Sequence, residues 1–446
     1  MSAEQRQRGS RRFDLHIELA QRPVNPIVPV ERVAMLFRPA DDAYPDVISL
    51  RTDFPDVIHL NARPPGRPKS FCLYLEPYEE LQLHWTPHLF VERIRSWLAK
   101  TADGTLHPED QGLEPLVFLP YGTLVVPRDL LSAKEAPLQL YVVRAVDGAE
   151  IRSVWIAATG KSGDAPKREF VAACFDCPPQ THGVIRSAPD DLVQLQQFLT
   201  PIGFDIVAEV RALVAEWKKG ELFRQVESAK LFLILRLPKQ RVEGGDVEVI
   251  ERLAFLCDCT LKDLDERLET FQVTHDYKGT IAIPESVAAR ANITLLAFDV
   301  TEEFSPQRAA ELNGVAVETR PFCLLGAGAI GGQIMDTLLR SGFGTWTVID
   351  NDRFLPHNLA RHRLTGFFVG QRKAVAIANL MNDLFGREVV TALSVDVLRP
   401  GDKREAVDAA TENATAICDC TASVPVARAI AAGEVKTRRA RQVTLW

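Results

Sequence analysis

One cysteine near the start of the chain stands in an unusual polar setting. Cys72 is preceded by His59-Leu60-Asn61 and followed by Trp85-Thr86-Pro87. An exposed thiol on a fixed backbone can carry an acyl group as a thioester. A nearby amide can donate a hydrogen bond to the oxyanion that forms when an amine attacks that thioester. We predict that Cys72 and Asn61 are catalytic and that His59 holds the loop; an inert, buried cysteine is the alternative.

A glycine-rich segment predicts a second site in the last third of the chain. The apolar run Phe322–Leu325 leads into Gly326, Gly328 and Gly331, a helical pattern follows, and a second strand ends at Asp350. Glycines let backbone N–H groups approach a phosphate, and a helix start favours negative charge. An acid ~20 residues later can bind ribose hydroxyls. The segment predicts a nucleotide site in a βαβ unit; a tight turn without ligand is the alternative.

Charged residues beyond the glycines favour ATP over NAD. The further candidate residues, in chain order, are Asp352, Asn358, Arg361, Lys373 and Asp419. Arg361 and Lys373 can neutralise a triphosphate and the departing pyrophosphate, and Asp352 and Asp419 can hold Mg²⁺ or orient the attacked phosphate. An NAD site needs no such set, so an NAD-dependent oxidoreductase is the less favoured alternative.

With these motifs in place, residues 326–421 resemble the adenylation domain of the ubiquitin-activating and ThiF/MoeB family. The patterns GxGxxG, DxD, NLxR, GxxK and DxT occur in the family's order. The resemblance implies binding of ATP and Mg²⁺ and, because such domains usually pair, a homodimer. It also implies roles for single residues. Asn358, Arg361 and Lys373 contact ATP, and Asp350 or Asp352 binds ribose. Asp419 binds the metal of Mg-ATP, and Asp419 and Arg361 take part in catalysis.

Two departures from that family pattern lie inside the motifs. The family often has glutamine where this chain has His362, and aspartate where it has Ala422. Ala422 leaves the positioning of metal or substrate open. A ThiF/MoeB-like sulfur-carrier adenylyltransferase is therefore kept as an alternative function.

The surroundings of Cys72 resemble the ubiquitin-conjugating enzymes, which place an HPN tripeptide before the active cysteine and W-[ST]-P after it. Here Leu60 replaces the proline, and Cys72 lies a few residues further on than is usual. The chain thus resembles bacterial fusions of a conjugating and an activating enzyme, which occur in CBASS anti-phage and related ubiquitin-like operons. This implies activation of a carrier protein's C-terminal carboxylate, thioester transfer to Cys72, and conjugation to a target lysine.

The predicted architecture is a multidomain protein of α/β and α+β class. We expect a disordered tail over 1–12, a ubiquitin-conjugating-like α+β domain over 13–127, a mixed linker or dimerisation domain over 128–315, and a Rossmann-like ThiF adenylation domain over 316–446. No cysteine follows Cys420, so we expect this last domain to be truncated before its own cysteine. In the middle region, apolar spacing predicts strands over 138–143 and 230–235 and helices over 207–218 and 247–257.

Composition sets broad limits on the function. The 446 residues carry a formal net charge of −7, so there is no general basic field for nucleic acid. Eight cysteines are too few for a disulfide scaffold of this length, and no apolar run reaches the ~18 residues of a membrane span. We expect a cytoplasmic protein with reduced thiols, and no zinc at the single CxxC pair formed by Cys174 and Cys177.

Overall fold

The computed structural model describes residues 10–16, 23–37, 43–63, 66–118, 121–128, 138–146, 153–159, 170–219, 222–276, 292–437 and 441–444. The chain divides into two compact units, Met1–Thr301 and Glu302–Trp446, which are described separately. Within the described ranges, no helix is both long enough and apolar enough to cross a bilayer.

The first unit begins with an antiparallel sheet. Its strands, in the spatial order β1-β2-β3-β5-β4, are β1 (Ser10–His16), β2 (Val30–Leu36), β3 (Asp46–Ser49), β4 (Leu60–Asn61) and β5 (Ser70–Phe71). Strand β1 starts inside the predicted disordered tail, because Ser10–His16 pairs along its whole length with β2. Residues 1–9 lie outside the described part of the chain.

One long helix covers this sheet. After a short helix α1 (Tyr78–Leu81), helix α2 spans Pro87–Asp103. The side chain of Thr86 accepts a hydrogen bond from the Leu89 amide, Pro87 occupies the first turn, and Gly104 ends the helix with φ of 72°. Thr86 and Pro87 thus start a helix, as this pair of residue types often does. The buried face of α2 presents Trp97, whose ring stacks on Phe71 with centroids 4.4 Å apart.

The rest of the first unit consists mainly of strands that form a closed sheet, with helices on its outer side. The strands are β6 (Val117–Phe118), β7 (Gly122–Val126), β8 (Leu138–Val146), β9 (Ser153–Thr159), β10 (Phe170–Asp176), β11 (Gln180–Thr181), β12 (Arg186–Ser187), β13 (Lys230–Gln240), β14 (Val247–Thr260) and β15 (Leu295–Glu302). The helices are α3 (Leu192–Leu199), α4 (Ile206–Lys219), α5 (Leu222–Val226) and α6 (Leu261–Asp276), with a 3₁₀ turn over Thr200–Ile202.

Seven of these strands close on themselves as a barrel, whereas β6 and β12 pair with each other in a separate two-stranded sheet. Their order is β10-β8-β9-β7-β15-β14-β13, and β13 pairs again with β10. The interior is aromatic, with Phe232 and Phe298 fully buried and their centroids 5.7 Å apart. Strand β7 belongs to this barrel, although the sequence analysis assigned the residues up to 127 to the preceding domain. The domain boundaries proposed from the sequence stay predictions.

The prediction of a helix over 247–257 is wrong, because this segment belongs to strand β14. The strand pairs with β13 over ten residues. Sequence spacing was ambiguous because residues 253–257 are buried on both faces, with Ala254 and Leu256 inside the barrel and Phe255 packed under the outer helices. A continuous apolar run of this kind carries no period that distinguishes a strand from a buried helix. The predicted strands in β8 and β13 and the helix in α4 are confirmed.

The second unit is a doubly wound parallel sheet. Its strands are β16 (Glu318–Leu325), β17 (Phe343–Ile349), β18 (Val390–Leu393), β19 (Ala416–Asp419) and β20 (Arg441–Thr444). The helices are α7 (Pro306–Leu312), α8 (Ala329–Arg340), α9 (Lys373–Phe385), α10 (Arg404–Asn413) and α11 (Val424–Ala431), with 3₁₀ turns at Pro356–Ala360, Gly366–Phe368 and Gly401–Lys403.

The strand order of this sheet is β18-β17-β16-β19-β20, and every neighbouring pair is parallel. The chain therefore reverses its direction of travel across the sheet between β16 and β19. In doubly wound sheets ligands bind at such a switch point, outside the carboxyl ends of the strands. The predicted Rossmann-like fold is confirmed, and with it the place where a nucleotide site has to lie.

Candidate functional site

A cavity of about 600 Å³ opens at this switch point. Gly326 follows β16, Asp350 follows β17, and Thr421 follows β19, so three strand ends meet there. Of the residues predicted for the nucleotide site, those that line the cavity are Gly326, Gly328, Asp350, Asp352 and Lys373. The described structure thus brings five of the predicted residues to one cavity.

The glycines are required by close backbone contacts. Gly326 has φ of 85°, and a Cβ there would lie 2.9 Å from the carbonyl oxygen of Cys420. A Cβ on Gly331 would collide with the carbonyl oxygen of Gly326. Helix α8 starts right after Gly328, which has no side chain to cap it, so its first amides are placed to meet an anion.

Asp350 ties the glycine loop to the turn that follows β17. Its Oδ2 accepts a hydrogen bond from the Ala327 amide at 2.8 Å, and its Oδ1 accepts one from the Asp352 amide at 2.7 Å. Burial nevertheless raises the pKa of this carboxyl group. The role of Asp350 in shaping the loop follows from these bonds, whereas ribose binding stays a prediction.

Lys373 brings a cation to the cavity wall. It is the first residue of α9, and its Nζ lies 2.9 Å from Oδ2 of Asp352. The lysine side chain is only 10% exposed and the aspartate 66% exposed. The amine is therefore held in place by a partner that stays open to solvent, and a phosphate could approach the same amine from the cavity.

Four predicted residues are not among the described residues that line the cavity: Gly331, Asn358, Arg361 and Asp419. Asn358 accepts a hydrogen bond from the Leu355 amide through Oδ1, and Arg361 is exposed. Asp419 is 1% exposed, and its Oδ1 accepts hydrogen bonds from both the amide and the hydroxyl of Thr421. Their roles with ATP or Mg²⁺ stay predictions.

His362 stands where the resembled family often has glutamine, and it supports the glycine loop. Its Nδ1 accepts a hydrogen bond from the Leu364 amide at 3.1 Å, so the proton is on Nε2, which donates to the carbonyl of Ala327 at 2.7 Å. Burial lowers the pKa of this imidazole and favours its neutral form. A glutamine amide, with one donor and one acceptor group, can make bonds of the same kind.

Sequence motifs missed part of the cavity wall. Asp396 and Arg399 line it from the loop after β18, and Ser423 lines it after β19, next to Cys420 and Thr421, which belong to the DxT motif of the sequence. The parallel strand order was the only signal that pointed to the loop after β18. Ala422 adopts φ of 52°, a left-handed conformation that is uncommon for a residue with a side chain.

The second site surrounds Cys72, directly after β5. Its amide donates to the carbonyl of His59 at 2.9 Å, and its side chain is half-buried. Burial raises the pKa of this thiol, and the negative charge of Glu114 raises it further. The amide nitrogen of Asn61 donates to the hydroxyl of Ser70 at 2.8 Å and to the carbonyl of Phe71 at 3.1 Å. Asn61 is therefore beside the cysteine's strand, and its catalytic role stays a prediction.

Three residues near Cys72 escaped the sequence analysis: His107, Glu114 and His182. His59 Nδ1 lies 2.9 Å from Glu114 Oε1, and its Nε2 lies 3.1 Å from His107 Nδ1. The ring centroids of His107 and His182 are 4.6 Å apart. No motif connects these positions, because they come from separate segments.

The remaining cysteines lie in structural surroundings. Cys177 is buried, which raises the pKa of its thiol to about 12. Cys257 and Cys323 are buried in strands β14 and β16. The Sγ atoms of Cys418 and Cys420 lie 3.6 Å apart at the end of β19. Cys72 is only half-buried, whereas an exposed thiol was expected of an acyl carrier, and its catalytic role stays a prediction.

Comparison with known protein families supports both resemblances. Residues 2–137 match the model of prokaryotic E2 family A, and residues 315–438 match that of the ThiF family.

Curated relatives include two proteins named ATP-dependent ubiquitin transferase-like protein Cap2. The one from Vibrio cholerae is 45% identical over 64 residues, 14% of this chain and 11% of that protein. The one from Pseudomonas aeruginosa is 35% identical over 89 residues, 19% of this chain and 16% of that protein. The chain thus aligns with less than a fifth of either relative's length.

Solved structures with a related region are more distant. The ATP complex of the E. coli tRNA N6-threonylcarbamoyladenosine dehydratase TcdA is 24% identical, with a TM-score of 0.24, over 31% of this chain and 54% of that one. The E. coli MccB structure with ATP is 21% identical, with a TM-score of 0.20, over 23% of this chain and 30% of that one. Two family matches carry the assignment: this chain joins a region that matches prokaryotic E2 family A to a region that matches the ThiF family.

Proposed function

We propose that this protein activates the C-terminal carboxylate of a ubiquitin-like carrier protein with ATP and passes the acyl group through Cys72 to an amine of a target protein. The observation that carries the proposal is the presence, in one chain, of a ThiF-type cavity and of a half-buried cysteine in an E2-like domain. Adenylation and thioester transfer are consecutive steps of one chemistry. The Cap2 relatives, named ubiquitin transferase-like, support the same assignment.

In the first step the cavity binds ATP. The amides at the start of α8 and the Lys373 amine would hold the phosphates, and the glycines let the backbone come close enough. The carrier's carboxylate oxygen attacks the α-phosphorus, and pyrophosphate leaves with the broken phosphoanhydride bond. Bound Mg²⁺ would neutralise triphosphate charge, with Asp419 as the predicted ligand. Arg361, the other predicted cation, would assist from outside the cavity lining.

In the second step the thiol of Cys72 accepts the acyl group. A C–S bond forms, AMP or an intervening thiol leaves, and the thiol proton goes to solvent. The raised pKa keeps Cys72 protonated at neutral pH, so the thiol is protected from side reactions until an acyl donor arrives. In the last step a lysine amine attacks the thioester, and the oxyanion could be stabilised by the nearby amide of Asn61.

Carrier-dependent exchange of radiolabelled pyrophosphate into ATP tests the adenylation step. We expect Lys373→Ala to lower the exchange rate by about 100-fold, a typical loss for one transition-state contact. Lys403→Ala is the matched control, because Lys403 is exposed on the turn Gly401–Lys403 and should leave the rate unchanged. Exchange that survives Lys373→Ala at full rate would contradict the proposed phosphate contact.

A covalent adduct tests the role of Cys72. We expect ATP and a carrier protein with a free C-terminus to give an adduct that dithiothreitol cleaves, and Cys72→Ala to remove it. Cys174→Ala, a change at another partly buried cysteine, should leave the adduct intact. Conjugation that persists without Cys72 would refute the E2-like assignment of function while leaving the adenylation step untouched.

We also propose that the protein acts as a homodimer in an anti-phage, CBASS-type ubiquitin-like system. The support is the common pairing of ThiF-type domains and the Cap2 relatives. Multi-angle light scattering should give a mass close to twice 49.6 kDa for this chain. A mass of one chain at micromolar concentration would exclude the dimer.

A further inference from the structure

A cluster of metal-binding side chains lies beside the Cys72 backbone. His59, His107 and Glu114 each offer one ligand atom, and these atoms all lie within 4.8 Å of one another. His59 is central, since its two ring nitrogens lie 2.9 Å from the Glu114 carboxylate and 3.1 Å from the His107 ring. His59 lies directly before β4, and His107 and Glu114 come from the segment after α2.

The chemistry of the cluster suits a cation. It combines one carboxylate with two imidazoles, the side-chain types that bind a metal through oxygen and nitrogen atoms. His59 and Glu114 are only 11% and 16% exposed, which limits competition from water.

The neighbouring cations are already paired. The Arg241 guanidinium bonds the Glu248 carboxylate at 2.9 Å and the carbonyls of Pro108 and Gln111. Lys239 lies 2.8 Å from Glu251 and also bonds the carbonyl of Glu114. A third imidazole, His182, accepts a long hydrogen bond of 3.4 Å from the Glu114 amide through Nδ1. These hydrogen bonds and ion pairs hold the residues around the cluster in place.

We propose that His59, His107 and Glu114 bind one zinc ion, with water in the fourth position. Two imidazoles and one carboxylate are a ligand set that Zn²⁺ takes in sites with an open position. This site lies apart from the CxxC pair in β10 and needs no cysteine. It is independent of the proposed function, because it rests on the cluster geometry alone.

The site would hold the backbone of the acyl-carrying cysteine. His59 has φ of 57°, a conformation that costs free energy for a residue with a side chain, and its carbonyl accepts the Cys72 amide hydrogen bond. A metal bound to the His59 ring would fix this residue against the segment that carries His107 and Glu114. The ion would thus position the thiol without touching it.

Titration of the metal-stripped 446-residue chain with Zn²⁺, followed by calorimetry, tests the site. We expect one zinc per chain to be lost in His107→Ala and in Glu114→Gln, with affinity lowered by more than about 100-fold, since even an outer partner of a metal ligand contributes 10- to 100-fold. His88→Ala and Glu109→Gln, at exposed positions, should bind zinc like the parent chain. Circular dichroism of each variant shows whether it is folded.

Cobalt gives the second measurement. Co²⁺ in the proposed site should show visible d–d bands, should lack the near-ultraviolet sulfur-to-metal charge-transfer band, and should give the same spectrum in Cys72→Ser. Zinc binding that is unchanged by both cluster variants would overturn the proposal. A charge-transfer band would also overturn it, because the metal would then be held by thiolates. Absence of binding to the folded parent chain would show that the cluster is a hydrogen-bonded network only.

Discussion

The two sites of this protein are built in opposite ways. The nucleotide cavity is shaped by backbone: glycines, strand ends and a helix start within one parallel sheet, with an aspartate and a histidine bonded to the glycine loop. The Cys72 site is shaped by side chains from separated segments: burial and the charge of Glu114 raise the pKa of the thiol, and the hydrogen bond from His59 lowers the pKa of Glu114. The residues of a site shaped by the backbone lie close together in the sequence and form a motif. The residues of a site shaped by side chains are scattered along the chain.

The contrast predicts that small backbone changes harm the cavity most. In Gly326→Ala the new methyl group would meet the Cys420 carbonyl at 2.9 Å on a residue with φ of 85°. We expect the free energy of unfolding of the second unit to fall by about 2–4 kcal/mol and ATP binding to be lost. Gly366→Ala, where no atom lies within 4 Å and φ is not positive, is the control. Equal stability of the two variants in urea unfolding would contradict the backbone account.

Removing the Asp350 carboxylate, which holds the glycine loop, should have the next largest effect on stability. Asp350→Asn replaces one carboxylate oxygen by an N–H group, so only one of the Ala327 and Asp352 amides can keep its acceptor. We expect a loss of about 1–3 kcal/mol in the free energy of unfolding. Asp402→Asn, at an exposed position, should change it by less than about 0.5 kcal/mol. Unchanged urea midpoints in both variants would show that the Asp350 bonds contribute nothing.

His362 predicts a pH dependence of smaller size. Its pKa is lower in the folded protein than in the unfolded chain, so the unfolded chain takes up protons first as the pH falls. The stabilising contribution is complete above the unfolded pKa of about 6.5 and is lost progressively below it. We expect His362→Gln to flatten the decline of thermal stability between about pH 6.5 and the folded pKa. His357→Gln, at an exposed site, should leave that profile as it is.

The smallest expected effect concerns the reactivity of the Cys72 thiol. Because the pKa of Cys72 is raised, its alkylation by iodoacetamide should keep accelerating above the pH range of an ordinary thiol. Glu114→Gln removes the negative charge that contributes to this shift, and we expect a roughly two- to fivefold faster reaction at pH 8 in the presence of a chelator. Glu109→Gln serves as the comparison. Mass spectrometry of the Cys72 peptide separates this thiol from the others, and slower labelling in Glu114→Gln would contradict the charge effect.

The difference between the sites also explains what could be predicted. Gly326, Gly328, Asp350, Asp352 and Lys373 could be placed at the cavity because they belong to short motifs in the sequence, whereas their roles with ATP stay predictions. Asp396 and Arg399 follow β18 without a motif, so only the strand order places them at the cavity. The helix predicted over 247–257 failed for a related reason: a strand buried on both faces has no period of two.

What the sequence alone determined is the local chemistry: a turn that only glycine allows, a Thr-Pro helix start, and a cysteine between an asparagine and a Trp-Thr-Pro segment. These depend on neighbouring residues and therefore appear as motifs. The tertiary structure alone decided that β13 returns to β10 to close a barrel and that Glu114 and His107 meet His59. Such contacts arise between residues far apart in the chain, where packing, and not sequence spacing, sets which side chains meet.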